Sequence, residues 1–275
     1  MHQTLAQALA AARLDAVDAR ALMRHLLGVD DAWLIAHADE QLSATQSAAF
    51  AVLVARRMAG EPVAYIVGTR EFFSLEFKAT PAVLIPRPET EMLVEFALER
   101  IDSEGACSVL DLGTGSGCVA IAIAHARPRA QVVAVDRSTA ALAVAQENAH
   151  QHATANLTLL ASDWFTALAG RRFDVIVANP PYVADGDAHL HQGDLRFEPA
   201  AALVAGSDGL DCIRAIVASA PQYLNSGGAL AIEHGYDQAA SCRELLAAAG
   251  FYAVFSHTDL AGIERVSGGV LGATP

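Results

Sequence analysis

The sequence predicts an α/β protein: a doubly wound, mostly parallel sheet with a small helical domain at its amino end. Three observations predict it. From residue 107 onward, short apolar runs alternate with helix-patterned segments, as expected of parallel strands buried under helices. A Gly-rich turn, Asp111-Leu112-Gly113-Thr114-Gly115-Ser116-Gly117, joins the first of those runs to an apolar helix. Residues 1 to about 60 show helical periodicity instead.

In the amino-terminal region, Leu5, Leu9 and Ala12 fall on one helical face, as do Ala19, Leu22, Met23 and Leu26. Gly28 is placed to end the second helix, and Ser43 to cap a later one that runs to Gly60. Pro62 to Lys78 carries apolar residues on both sides of Gly68-Thr69-Arg70, which predicts a β-hairpin. Pro86-Arg87-Pro88-Glu89-Thr90-Glu91 opens a helix to about Ile101. Pro88 suits its first turn, and the acids suit its positive end. Strands are expected at Ser108–Leu112, Gln131–Val135, Leu157–Ala161, Phe173–Ala178, Ala229–Ile232, Tyr252–Ser256 and Arg265–Leu271. Helices are expected at Cys118–Ala126, from Ser138 to His150, up to about Leu224, and over 237–249. The expected domains are therefore 1–60 (helical), 61–84 (hairpin linker) and 85–275 (the sheet domain).

Composition narrows the function. The chain has 275 residues, 53% hydrophobic, with a net charge of −13. Sequence-independent nucleic-acid binding rests on Lys and Arg at phosphates, so no direct nucleic-acid partner is expected. A small molecule or a basic protein partner fits better. Cys107, Cys118, Cys212 and Cys242 show no paired spacing, which reads as reduced thiols. Met1 to Arg20 lacks the layout of a signal peptide. No uncharged apolar run approaches the roughly 18 residues of a membrane span. A cytoplasmic monomer is expected.

The most informative motif is Asn179-Pro180-Pro181-Tyr182, at the carboxyl end of the Phe173–Ala178 strand. Two prolines cannot extend a strand ladder, so the chain turns where open α/β sheets bind ligands. An amide, two rigid carbonyls and an aromatic ring suit a planar –NH2 group: the oxygens accept its hydrogens and the ring covers its face. A simple strand-ending turn accounts for the same residues equally well when the motif is taken alone.

A second set of residues favours the functional reading. Gly113, Gly115 and Gly117 let the backbone approach a ligand closely, with the next helix's N–H groups directed at it. Their spacing is not the G-x-G-x-x-G of dinucleotide sites. The preceding Asp111 would be a poor neighbour for a pyrophosphate and a good one for the ammonium or sulfonium of S-adenosylmethionine (SAM). Asp136 lies 21 residues after Gly115, near where an acid binds ribose hydroxyls. Asp163 can accept from an adenine amino group, and Trp164 can stack on the base. With Thr114, Ser116 and Asn179, these residues form the expected cofactor site. His150/His152 and His189/His191 are two apart and do not share a helical face, so no metal is expected.

The combination resembles SAM-dependent methyltransferases that act on amide or exocyclic amino nitrogens. Gly60-Glu61-Pro62-Val63-Ala64-Tyr65-Ile66-Val67-Gly68, Leu84-Ile85-Pro86-Arg87-Pro88-Glu89-Thr90-Glu91, Phe197-Glu198-Pro199 and Asp208-Gly209-Leu210 resemble the HemK-type family of release factor glutamine N5-methyltransferases. The resemblance implies a Rossmann-like methyltransferase sheet, SAM as cofactor, and the Gly-Gly-Gln glutamine of bacterial class I release factors as substrate. It also implies a substrate-recognition role for the helical domain. The catalytic candidates are Asn179, Pro180 and Tyr182. Pro181 joins them as a candidate for binding substrate. Asn179 Oδ1 and the Pro180 carbonyl would orient the amide, and Tyr182 would pack against it. Two rival substrates use the same motif: a ribosomal-protein glutamine and, against the acidic charge, a DNA adenine N6. A nicotinamide-dependent oxidoreductase is disfavoured by the glycine spacing. The long 183–206 connection, with Asp185, Asp187, Asp194 and Glu198, is expected either to gate the site and meet a basic partner or to be a solvated loop.

Overall fold

The computed structural model describes residues 3–103 and 105–272. The chain forms two compact units. One runs to Thr69 and also takes in His191–Phe197; the other contains the rest.

The first unit is helical: α1 (Leu5–Ala11), α2 (Ala16–Leu27), α3 (Asp31–Ala36), α4 (Ala44–Met58) and α5 (Val63–Val67). Local chemistry sets the boundaries. Thr4 with Gln7 and Ser43 with Gln46 form reciprocal capping boxes. Asp15 and Asp30 cap α2 and α3. Gly28 closes α2 at φ 67°, in the left-handed region that glycine adopts without strain. Leu5, Leu22, Met23, Leu34 and Phe50 are buried together in the core.

Val63–Val67 is a helix, not the first arm of the expected hairpin. Its Val-Ala-Tyr-Ile-Val run has strand-like composition, but one helical turn buries Ala64, Tyr65 and Ile66 together, and the turn packs on α2 and α4. Tertiary burial outweighs the weak β preference of such a short run. The hairpin begins later, as β1 (Thr69–Phe72) and β2 (Leu75–Lys78). Both turn residues, Phe73 and Ser74, have positive φ, as a two-residue hairpin turn requires.

The second unit is built on a seven-stranded sheet: β3 (Ser108–Leu112), β4 (Gln131–Asp136), β5 (Leu157–Ala161), β6 (Phe173–Ala178), β7 (Leu224–Glu233), β8 (Phe251–Thr258) and β9 (Glu264–Leu271). Their spatial order is β5-β4-β3-β6-β7-β9-β8, and β9 alone runs against its neighbours. Helices α6 (Glu91–Arg100), α7 (Cys118–Ala126), α8 (Thr139–Gln151), α9 (Asp211–Ser219) and α10 (Ala239–Ala248) cover it. Alternate strand residues enter separate cores. Val109, Val132, Val175 and Val177 join α6 and α7 residues, whereas Leu110, Val133, Ile176 and Leu230 join α9 and α10 residues. Both faces are apolar because side chains alternate across a strand. The sheet is doubly wound, as expected.

From β3 the chain winds outward through β4 to β5, then crosses to β6 on the other side of β3. The order therefore reverses between β3 and β6, where such sheets open a crevice at their carboxyl ends. Leu112 pairs with Ala178 across that junction. The Gly-rich turn and the Asn179 motif consequently emerge side by side. β7 begins at Leu224, five residues before the expected strand, and ends one residue beyond it, at Glu233; α9 before it stops at Ser219, short of the expected end near Leu224.

Candidate active site

The crevice holds a pocket of about 220 Å³. The Gly-rich turn forms one wall. A Cβ added at Gly113, which sits at φ 72°, would meet the Trp164 ring at 3.4 Å. One at Gly115 would meet nothing within 4 Å. Glycine therefore keeps one edge of the turn in contact with Trp164 and the other open. Gly117 differs: its Cβ would lie 2.9 Å from Ile121 and 3.1 Å from Ala145, so it serves the packing of α7 against α8.

Four of the turn's amides, expected to face a ligand, are bonded within the chain. Gly113 and Thr114 N–H both donate to Val135 O at 2.9 Å, Gly117 N–H donates to Thr114 O at 2.8 Å, and Gly115 N–H donates to Asp136 Oδ2 at 2.9 Å. Asp111 accepts from Thr114 Oγ1 at 2.6 Å and from the Ala120 amide of α7. Main-chain carbonyls take three of these turn amides and the Asp136 carboxylate takes the fourth, so none of the four is left for a phosphate. Burial pushes the Asp111 carboxyl up to about 7; the Thr114 bond opposes this and the nearby Asp136 adds to it. Asp136 also accepts from Ser138 N–H at 2.8 Å, so it both faces the pocket and braces the start of α8.

Asp163 and Trp164 reach the same pocket from the β5 end. Trp164 has φ 47°, a left-handed conformation uncommon outside glycine. Ser162 Oγ steadies it by donating to its carbonyl at 2.8 Å. Asp163 is exposed.

The Asn179 motif forms the opposite wall. Asn179 and Pro181 line the pocket with Asp111, Gly113, Thr114, Gly115, Ser116, Asp136, Asp163 and Trp164. Pro180, Tyr182 and Gly117 are not on its wall. Asn179 Nδ2 donates to Thr90 Oγ1 at 3.0 Å. Tyr182 Oη donates to Glu233 Oε1 at 3.2 Å, and burial with that neighbouring acid holds its pKa far above the ordinary phenol value. Tyr182 is thus a neutral donor rather than a base. Gln238 Nε2 donates to the Tyr182 carbonyl at 3.0 Å. A Cβ at Gly209 would lie 2.2 Å from that carbonyl, so only glycine lets the 208–210 turn close on the motif.

The sequence reading missed Thr90, Glu233 and Gln238 as site neighbours. A signal for Glu233 existed: an acid directly follows the apolar run Ala229–Ile232. Thr90 was visible only as a helix-start residue. Three of the four acids of the 183–206 connection pair within the chain. Asp194 pairs with Arg57 at 2.9 Å, Glu198 with Arg87 at 2.7 Å and Asp187 with His189 at 2.7 Å. The Glu198 side chain is buried in its pair, whereas Asp187 and Asp194 stay partly exposed. Among the described residues no cluster suited to a metal ion is found, and no helix is long and apolar enough to cross a membrane.

Residues 2–68 match the family model of the PrmC N-terminal domain, and residues 89–207 that of the methyltransferase small domain. The release factor glutamine methyltransferase of Burkholderia pseudomallei is 56% identical, covering 98% of this chain and 96% of its own. That of Escherichia coli is 44% identical, with coverage of 91% and 90%. Among solved structures, the Thermus thermophilus 16S rRNA N2 G1207 methyltransferase aligns at 26% identity and a TM-score of 0.55, over 74% of this chain and 49% of its own. The human Mettl16 catalytic domain shares the fold at 13% identity and a TM-score of 0.59, over 85% and 84%.

Proposed function

The chain belongs to the release factor glutamine methyltransferase family, and from that premise we propose that it moves a methyl group from SAM to the side-chain amide nitrogen of a release factor's Gly-Gly-Gln glutamine. One observation carries this reading: the carboxyl ends of β3 and β6 bring the Asp111 turn and the Asn179 motif onto one pocket. The donor set suits SAM rather than a dinucleotide. The amides of Gly113, Thr114, Gly115 and Gly117 are bonded internally, and a buried carboxylate stands where a cation would be welcome.

Asp111 would face the ammonium or sulfonium, Asp136 the ribose hydroxyls, Asp163 the adenine amino group and Trp164 the base. When bound, SAM supplies an electrophilic methyl group. The protein's part is positional. A glutamine amide is a weak nucleophile, since its lone pair is delocalised. Asn179 Oδ1 and the Pro180 carbonyl accept its two N–H groups and aim the nitrogen. Pro181 stiffens the turn and Tyr182 shields it. Rate enhancement then comes from orientation and preorganised acceptors, with no general base needed for the first step. The helical unit contributes substrate recognition. A cytoplasmic, monomeric enzyme with no nucleic-acid partner completes the proposal.

The test is mass spectrometry of unmethylated release factor after incubation with the protein and SAM. A gain of one methyl group on the Gly-Gly-Gln glutamine supports the proposal. No gain, with SAM binding confirmed by calorimetry, overturns the substrate assignment and directs the search to ribosomal proteins.

A further inference from the structure

We propose that Glu233 is a positioning residue that sets which end of the Asn179 amide faces the substrate, acting through the hydroxyl of Thr90. The inference rests on the reading of Asn179 as the acceptor for the substrate amide.

The geometry is directional. Thr90 Oγ1 carries one hydrogen and lies 2.6 Å from Glu233 Oε2. An ionised carboxylate only accepts, so with Glu233 ionised the hydroxyl donates to it. Oγ1 is left with lone pairs, and Asn179 Nδ2 lies 3.0 Å from them. Only the –NH2 end of the amide can meet a lone pair. A flipped amide would oppose two acceptors at that contact and present –NH2, a donor, to a substrate that is itself a donor. The relay thus holds Oδ1 at the free end of Asn179.

The surroundings keep the relay from reorienting. Thr90 is 3% exposed and Glu233 2%, so water does not compete. Tyr182 Oη donates to the second carboxylate oxygen at 3.2 Å, which limits rotation of the carboxyl. Among the described residues Glu233 makes no ion pair; Arg265, whose charge acts on it, is held by Asp259 at 3.0 Å. Burying an acid without a paired cation is unfavourable. The hydrogen bonds that Glu233 accepts here come from Thr90 and Tyr182, one touching Asn179 and the other part of its motif.

The experiment measures kcat, KM for the substrate and SAM affinity in five single variants and one double variant, each checked for folding by its melting curve. Thr90→Val keeps the shape but removes the hydroxyl. Its kcat is expected to fall about 10- to 100-fold, with KM and SAM affinity changed by less than about 3-fold, since misaligned reacting groups cost rate rather than binding. Thr90→Ser restores the relay and should return kcat to within about 3-fold of wild type. Glu233→Leu should resemble Thr90→Val, while Glu233→Gln, which still offers an oxygen to Thr90, should retain most of kcat. The double variant Thr90→Val/Glu233→Leu should be no slower than the worse single one, because both act on the same amide. Wild-type kcat in folded Thr90→Val, or no recovery in folded Thr90→Ser, overturns the proposal. Full turnover in Asn179→Ala in the same assay would instead overturn the reading beneath it.

Discussion

The two units bury different things. Among the described residues, the buried polar or charged side chains all belong to the sheet unit, among them Asp111, Thr114, Ser116, Thr90 and Glu233 at the site and Asn148, His234 and Ser267 elsewhere in it. In the helical unit the core is apolar, and charges such as Arg57, Asp18 and Asp194 are partly exposed at its edge. A buried polar group costs free energy unless it is bonded. A core that only has to hold its shape can avoid that cost. A site that, on the proposed reading, holds an amide and a cationic ligand in fixed orientation cannot. The comparison predicts that substitutions in the sheet unit's polar network act on chemistry, and those in the helical unit act on stability.

The sharpest test is Asn179→Ala, for which turnover should fall about 10²- to 10³-fold, the scale of losing one preorganised hydrogen-bond group. SAM affinity measured by calorimetry should stay within a few fold. Wild-type turnover would remove Asn179 from the mechanism. Next is Leu22→Ala in the helical core, where Leu22 is fully buried. A loss of about 2–5 kcal/mol is expected from denaturant unfolding, with little effect on kcat wherever the protein remains folded.

Asp111 offers a subtler contrast through pH. Its carboxyl, and that of Glu233, are pushed up to about 7 by burial, from ordinary values of 3.8 and 4.5. Between those values the folded chain holds protons that the unfolded chain has lost. Stability from these groups is therefore complete below about pH 4 and lost as pH rises toward 7. Thermal melts should show that decline, and Asp111→Asn should flatten part of it. Because an ionised Asp111 suits a cationic ligand, SAM affinity should rise across the same window and level off above it. An affinity independent of pH in the wild type would argue against the contact. The smallest effect is expected for Arg57→Ala, which breaks pairs at 2.7 and 2.9 Å. Partly exposed pairs are worth about 1 kcal/mol or less, so the melting temperature should drop slightly and kcat should hold.

Some features were legible without coordinates because they are local. Capping at Ser43, the stop at Gly28, the Pro88 helix start and the order of strands and helices all follow from residues within a turn of one another. The Gly113–Gly117 turn and the Asn179 motif were legible too, since each rests on a short run of residues whose backbone has few other options. Val63–Val67 was misread for the complementary reason: its helix exists through burial on α2 and α4, and no neighbouring residue announces that.

The sequence by itself determined the α/β class, the two walls of the site and the chemistry they suit, because glycine, proline and alternating apolar residues restrict the backbone wherever they stand. Only the tertiary structure decided that the amides of Gly113, Thr114, Gly115 and Gly117 are bonded inside the protein, that Asp194 and Glu198 pair with Arg57 and Arg87, and that Glu233 reaches Asn179 through Thr90. The last of these links residues 89 and 143 positions apart along the chain. Contacts at that separation are set by which strands lie side by side, and a hydrogen bond's direction becomes defined only when both partners are in place.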